Sequence, residues 1–393
     1  MSPHQLAREI LRRADILGKI TDEPGRITRT YRSPAMKRAN AQVARWMRAA
    51  GLTVREDPVS NLIGRISSPD PRTKTFILGS HLDTVPNAGK YDGILGVLIA
   101  ISIVKQLRDL PFNLEVYAFA DEEGVRFSTS YLGSGAVTGL LTPRDLHRKD
   151  ANGVPLGKLI SNLDTCRRDP RDLLGYAEVH IEQGPVLESK NLAVGIVTAI
   201  AGCTRVRVTF SGRAGHAGTT PMKLRRDALC ATAEFILTVE AQAEHGLVAT
   251  VGMIDAQPGA ANVIPGAVTC SLDVRHESDA VRRRAIAALR QFKARPEINV
   301  SWETTSEPPA VACDPRLVSL MGQAARKHQR VVPHLVSGAG HDAAAMAAIT
   351  PAVMLFVRCK GGISHHPAEA VRIGDLATAV AVLRDFVDSV AEA

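Results

Sequence analysis

Four apolar runs in this chain each end on a histidine or a carboxylate. Residues 75–80 lead into His81-Leu82-Asp83 and then Tyr91-Asp92-Gly93. Residues 114–120 lead into Asp121-Glu122-Glu123-Gly124, and the run 177–181 carries His180 and leads to Glu182-Gln183. The run 352–357 is followed by Gly361-Gly362-Ile363-Ser364-His365-His366. Imidazoles mixed with carboxylates make a borderline nitrogen and oxygen donor set, suited to zinc or to manganese, cobalt or nickel. Two such ions about 3.5–4 Å apart, joined by a carboxylate, share a water and make hydroxide available near neutral pH. Asp83, two residues from His81, is read as the carboxylate that holds that imidazole in one tautomer. Glu122 and Glu123 are adjacent and point to different sides, so one can ligate metal while the other acts as general base. Each residue alone has an ordinary reading. Asp92 suits a turn before Gly93, and Glu122-Glu123 suits a solvated helix start. It is their arrival at four strand ends that points to a site.

Such a site needs elements that bring those ends together. Open parallel sheets place ligands just beyond the carboxyl ends of their strands. The first 60 residues read as helical, broken at Asp22-Glu23-Pro24-Gly25, with Ser33-Pro34 opening a second helix that Gly51 stops. Strands are expected at 53–55, 62–66, 75–78, 114–120, 177–181 and 352–357, and a buried helix at 93–107. This alternation predicts an α/β fold with a mostly parallel sheet covered on both faces. The middle differs: strand 204–210, helix 225–242, strands 248–254 and 267–275, helix 278–293, strand 298–304. That order is the βαββαβ pattern of a ferredoxin-like unit. The expected organisation is a catalytic domain from residues 1–205 and 316–393, interrupted by an inserted domain at 206–315.

Composition narrows the function classes. The chain has 393 residues, 45% hydrophobic and 22% charged, which excludes intrinsic disorder and collagen-like structure. The longest nearly apolar run, 94–104, is far short of the ~20 residues of a membrane helix. The amino-terminal stretch alternates apolar and basic residues without a signal-peptide pattern, so a cytoplasmic protein is expected. Six scattered cysteines without CxxC are read as reduced, structural thiols. The net charge of +8 raises nucleic acid as a partner, but 9 Phe, 5 Tyr and 2 Trp are few for a stacking platform and the basic doublets are dispersed. No nucleic acid and no membrane partner is expected; a small anionic substrate is.

Nine motifs in one order then carry a resemblance: GSHLDTV (79–85), YDGILGV (91–97), DEEGVRF (121–127), HIEQGPVLE (180–188), GHAGTTPM (215–222), NVIPG (262–266), DVR (273–275), SGAGHDA (337–343) and GISHHP (362–367). The chain resembles the hydantoinase/carbamoylase family of dinuclear metal amidohydrolases, which spans N-carbamoyl-L-amino-acid hydrolases, β-ureidopropionases and allantoate amidohydrolases within the aminoacylase and carboxypeptidase clan. The resemblance implies two divalent metal ions per subunit, zinc first and manganese, cobalt or nickel as alternatives. It implies His81, Asp92 and His180 around one ion, Asp92 bridging, and Glu123 and His365 on the second. His365 is preferred to His366 because the family ligand follows Ser directly. It implies Glu122 as the general base and His216 as the group polarising the scissile carbonyl, usually in the partner subunit's site. Asn262 and Arg275 would bind substrate, Arg275 through its carboxylate, with Gln183, Arg205 and Gly340 as further contacts. His341 receives no metal role, and His4, His147, His245, His276, His328 and His334 are read as surface or packing residues. The inserted domain would serve as lid and dimerisation unit of a homodimer. The implied reaction is hydrolysis of a linear ureido C–N bond, first in an N-carbamoyl-L-amino acid to give the L-amino acid, ammonia and carbon dioxide. Allantoate or another ureido acid is the alternative substrate, and a dipeptide the less favoured one.

Overall fold

The computed structural model describes residues 1–70, 72–107, 109–243 and 246–393, so His245 lies outside the described residues. In chain order the first segment carries α1 (Pro3–Gly18), α2 (Pro34–Ala49), β1 (Thr53–Glu56), β2 (Leu62–Ile66), β3 (Thr75–His81), α3 (Ile94–Val104), β4 (Asn113–Phe119), α4 (Leu132–Thr138), β5 (Leu173–Ile181), α5 (Val186–Ser189) and β6 (Val194–Ile200). The middle carries β7 (Gly202–Ser211), β8 (Gly215–His216), α6 (Ala228–Ala241), β9 (Val248–Thr250), β10 (Ile254–Gln257), β11 (Val263–Ile264), β12 (Ala267–His276), α7 (Asp279–Leu289) and β13 (Asn299–Ser306). The last segment carries β14 (Val311–Ala312), α8 (Pro315–Arg326), β15 (His334–Ser337), α9 (Asp342–Met346), β16 (Ala352–Val357) and α10 (Ile373–Glu392).

The chain divides into two compact units, Met1–Thr198 with Cys313–Ala393, and Ala199–Ala312. These junctions lie a few residues before the 205/206 and 315/316 boundaries expected from sequence, because β7 already begins at Gly202.

In the first unit the sheet runs β1-β2-β4-β3-β5-β16-β6, with β14 and β15 both paired to β6. Its centre, β4-β3-β5-β16, is parallel. The flanks are antiparallel at β1-β2, β2-β4 and β16-β6, so the parallel pattern holds for the middle of the sheet rather than for its whole width. Helix α2 starts where Ser33-Pro34 predicts, Ser33 accepting from the Met36 N–H, and α1 starts in the same way, Ser2 accepting from the Gln5 N–H, each with Pro at the first helical position. Helix α3 is buried on all sides and packs on β3, β4 and β5. Phe76 and Leu78 of β3, Leu114 and Val116 of β4, and Val353 and Leu355 of β16 join the core that α1, α3, α8 and α10 complete. Helix α9 lies against β3, β5 and β16 and packs on α4. Parallel central strands buried in this way read as continuous apolar runs, which is why they were visible in the sequence.

The second unit is a sheet in the order β10-β12-β7-β13, with β9 also on β12, all pairings antiparallel. One face, with Val206, Val208, Phe210, Val268 and Leu272, packs on Phe235 and Val239 of α6 and Leu289 of α7. The other face is polar, presenting Arg205, Arg207, Ser271, Asp273 and Arg275 on alternate positions. The strand expected at 248–254 is two short strands. Between them Met253 exchanges bonds with Ser271, its N–H donating to the Ser271 hydroxyl at 3.0 Å and its carbonyl accepting the Ser271 N–H at 3.0 Å. Among the described residues, no helix is long and apolar enough to cross a membrane.

Candidate metal centre

The parallel strands of the first unit end on the residues that the sequence marked. His81 closes β3, His180 is the penultimate residue of β5, Asp121 to Glu123 follow β4, and His365 lies in the loop after β16. Donor atoms of His81, Asp92 and His180 lie within 4.8 Å of one another, as do those of Asp92, Glu123 and His365. Asp92 belongs to both sets. Its Oδ1 is 3.4 Å from His81 Nε2 and 3.1 Å from His180 Nε2. Its Oδ2 is 3.3 Å from His365 Nε2, which is also 3.2 Å from Glu123 Oε1.

These separations fit metal coordination. Ligand atoms at 2.0–2.2 Å from one tetrahedral ion are about 3.3–3.6 Å apart. The tautomers fit as well. His81 Nδ1 faces the Asp83 carbonyl at 3.2 Å and His180 Nδ1 faces the Ile181 carbonyl at 2.9 Å. Each Nδ1 therefore carries the proton, which leaves the Nε2 lone pairs on the Asp92 side, where His180 Nε2 also accepts from the Gly93 N–H at 3.2 Å. A lone pair set against a buried carboxylate, as at His81 Nε2, is favoured by a cation between them. Without metal that cation is a proton: burial opposes charge on His81, but Asp83 and Asp92 outweigh it and raise the imidazole well above its ordinary value. His180 moves in the same direction, with burial again opposed by Asp92.

Asp83 braces the other side. Its Oδ1 accepts from the Glu122 N–H at 3.1 Å and its Oδ2 from the Glu123 N–H at 3.2 Å, while Oδ1 is 3.5 Å from His81 Nδ1. One carboxylate thus ties the end of β3 to the Glu122-Glu123 loop. Burial pushes the Glu122 carboxyl well above its usual range; His81 opposes the shift, and Asp342, Glu123 and Asp83 add to it. A carboxylate held with a high proton affinity beside the metal donors has the character of a general base. Asp121, Gln183 and His365 hold left-handed φ values of 53°, 55° and 56°, a concentration of backbone strain at one site.

Gly93 shows how tightly this centre is built. At φ +66° a Cβ there would lie 2.4 Å from three atoms of the His81 ring. Gly93→Ala is therefore expected to displace the imidazole, with a left-handed penalty of about 1–2 kcal/mol besides. Divalent-metal content after gel filtration is expected to fall; wild-type metal content in the variant would contradict the placement of His81 in the donor set.

The remaining sequence-derived candidates distribute as follows. Gln183 joins the centre, its Nε2 donating to Asp92 Oδ2 at 2.7 Å and to Ser364 Oγ at 3.1 Å. His366 turns away, its Nδ1 accepting from the Ala368 N–H at 3.1 Å. Gly340 lies against Tyr131, where a Cβ would be 1.9 Å from the phenol oxygen. In the second unit, β8 pairs with β11 so that His216 stands opposite Val263, and the Ala217 N–H donates to the Asn262 carbonyl at 2.9 Å. His216 is exposed, and its Nδ1 accepts from the Gly218 N–H at 3.0 Å. In the neutral ring that leaves Nε2 as an outward-facing donor. Arg275 donates through Nε and Nη2 to the two oxygens of Asp273 at 2.7 and 3.0 Å, and Arg205 Nε to Asp273 Oδ2 at 3.1 Å. Asp273 therefore organises both arginines on the polar face. Arg205 and Asp273 border a groove of about 470 Å³ on that face.

His341, read from the sequence as a supporting or helix-start residue without a metal role, precedes α9 and is buried with its ring on His180, centroids 4.4 Å apart, and its Nε2 meets Ser337 Oγ at 2.8 Å. Burial and the His180 charge hold its pKa well below the ordinary value, so it packs as a neutral imidazole. Glu178, behind His180, accepts from Ser80 Oγ at 2.9 Å, Tyr176 OH at 3.0 Å and the Ala343 N–H at 2.9 Å. Glu369 accepts from the Tyr91 N–H at 2.6 Å and the Asp92 N–H at 3.1 Å, and burial raises its carboxyl to about 7, Asp92 adding to the shift. The available signal for Glu369 was its place just beyond GISHHP.

Comparison with known proteins agrees with this geometry. Residues 77–389 match Peptidase family M20/M25/M40. The chain is 40% identical over 386 residues to the N-carbamoyl-L-amino acid amidohydrolase of Geobacillus stearothermophilus, covering 93% of this chain and 94% of that protein. It is 39% identical over 440 residues to the allantoate deiminase of Arabidopsis thaliana, covering 98% and 84% respectively. The crystal structure of a hydantoinase/carbamoylase family amidase from Burkholderia multivorans superposes with a TM-score of 0.91 at 32% identity, covering 98% of each chain.

Proposed function

The chain belongs to peptidase family M20/M25/M40, and from that premise we propose that it is a metal-dependent amidohydrolase cleaving the linear ureido C–N bond of a small ureido acid. The observation that carries the proposal is Asp92, shared by two donor sets, with Glu122 beside them. His81, Asp92 and His180 would hold one divalent ion; Asp92, Glu123 and His365 would hold the second. When bound, the pair supplies Lewis acidity and a water that ionises near neutral pH. Zinc suits the donors best, with manganese, cobalt or nickel as alternatives.

The work of the chain's own groups follows from their placement. Glu122 accepts the proton of the attacking water and returns it to the leaving nitrogen. Asp83 holds the Glu122 and Glu123 backbone in place through its two carboxylate oxygens. His216 offers Nε2–H to the oxygen that becomes negative at the tetrahedral stage. Asn262 and Arg275 bind the substrate, Arg275 shared between Asp273 and the substrate carboxylate, with Gln183, Arg205 and Gly340 as further contacts. The second unit thereby acts as a lid and as the dimerisation unit of a homodimer. The balanced reaction is R–NH–CO–NH2 + H2O → R–NH2 + NH3 + CO2. Six free cysteines are consistent with a reducing, cytoplasmic setting.

The first substrate class is an N-carbamoyl-L-amino acid. Allantoate is the second reading, favoured by the match to the Arabidopsis thaliana deiminase over 98% of this chain. Release of the free amine product, with ammonia measured alongside for the ureido compounds, separates them when metal-reconstituted enzyme is given N-carbamoyl-α-amino acids, N-carbamoyl-β-alanine, allantoate, N-formyl and N-acetyl amino acids. Turnover concentrated on the ureido compounds is expected; turnover confined to the N-acyl compounds would contradict the ureido assignment.

A further inference from the structure

We propose that Glu369 is a positioning residue that locks the turn bearing Asp92 to the loop bearing His365, and so sets how tightly the metal pair is held. The inference rests on the metal-centre reading above. Glu369 is 3% exposed, and the partners that hold its carboxylate are backbone N–H groups and a hydroxyl. Burying a carboxylate is costly unless its oxygens are satisfied, so each of these bonds constrains the groups that make it.

Those groups belong to both halves of the centre. Oε1 accepts the N–H of Tyr91 and of Asp92, fixing the backbone of the shared ligand. Ser364 Oγ lies 3.4 Å from Oε2 and makes a short contact to Asp92 Oδ2, so its single proton is shared between the two carboxylates with Asp92 the nearer. Glu369 thus reaches Asp92 twice, through its backbone and through its side chain. Its own N–H donates to the His366 carbonyl at 3.0 Å, closing the loop that holds His365 in its left-handed conformation. At the other side it packs on Gly89, where a Cβ would stand 2.4 Å from the Glu369 side chain. One buried carboxylate therefore fixes the spacing between Asp92 and His365, which come from distant parts of the chain. Groups that orient metal ligands are worth 10–100-fold in metal affinity.

The test is zinc affinity, measured by competition with a chromophoric chelator, on wild type, Glu369→Ala, Glu369→Gln and Ser364→Ala. Far-UV circular dichroism and the melting curve of the metal-free proteins are recorded alongside. Glu369→Ala is expected to weaken zinc binding roughly 10–100-fold while the metal-free protein stays folded. Glu369→Gln keeps an oxygen able to accept both N–H groups and is expected to stay within a few-fold of wild type. Ser364→Ala, which breaks only the side-chain route, is expected to lie between them. Zinc affinity in Glu369→Ala equal to wild type would overturn the proposal. Should that variant fail to fold, wild-type affinity in Ser364→Ala together with a Glu369→Gln loss as large as 100-fold would overturn it instead. Failure of the wild type itself to bind two zinc ions would count against the metal centre, an outcome distinct from either.

Discussion

Glu122→Gln is expected to lower kcat by roughly 10²–10⁴-fold, the contribution of a positioned general base, while the chain retains both metal ions. The side chain keeps its size and its amide can still sit where the carboxylate sat. The backbone bond from the Glu122 N–H to Asp83 is untouched by the change. Glu122 lies in neither set that shares Asp92 but does fall in a third group with His81 and Glu123, so metal content equal to wild type is the result that marks it as base and not ligand. The pH profile gives a second readout. Burial and the neighbouring carboxylates hold the Glu122 proton tightly, so wild-type kcat/KM is expected to fall as pH drops and the base becomes protonated. That acid limb should flatten in Glu122→Gln, whose side chain does not titrate. A zinc-loaded variant with wild-type kcat would remove Glu122 from the mechanism.

Asp92→Asn is the second large effect, and it acts on metal rather than on proton transfer. Asp92 is the residue common to both candidate donor sets, and its two oxygens face three imidazoles. Replacing one oxygen by an amide nitrogen removes the charge and the bridge together. Zinc content is expected to fall from two ions per chain to at most one weakly held ion. Activity should fall on the order of a thousandfold or more, about 4 kcal/mol of transition-state stabilisation. Thermal melting supplies an independent check. A ligand that binds only the folded state raises Tm, so added zinc should stabilise wild type strongly and Asp92→Asn far less. Two tightly held zinc ions in the variant would mean that Asp92 does not bridge.

How much of this was legible depended on what each residue does. His81, His180, Glu122, Glu123 and Asp92 could be found because they follow apolar runs that read as buried strands, and parallel sheets collect ligands at those ends. The inserted unit could be found because its order of strands and helices departs from the surrounding alternation. The antiparallel flanks of the first sheet were missed: β6 is as apolar as its parallel neighbours, and composition does not carry strand direction. Glu369 and Ser364 received no role because Glu369 is held by two backbone N–H groups and a hydroxyl and Ser364 by Asp92, Glu369 and Gln183, and no spacing in sequence reports a bond between residues 92 and 369. The Arg275–Asp273 fork was within reach, since residues two apart on a strand share a face. The net charge of +8 acquires no single explanation from the fold. Two of its arginines, Arg205 and Arg275, stand on the polar face of the inserted unit, both paired with Asp273.

The central claim is that this centre hydrolyses a linear ureido bond rather than a peptide bond. The most direct test is a competition in which metal-reconstituted enzyme receives an N-carbamoyl-L-amino acid labelled with ¹³C at the ureido carbon, allantoate, and a dipeptide of the same side chain. Consumption of ureido substrate is expected, with ammonia released and ¹³C from the labelled compound appearing as carbon dioxide or bicarbonate, while the dipeptide survives. Cleavage of the dipeptide with both ureido compounds intact would contradict it.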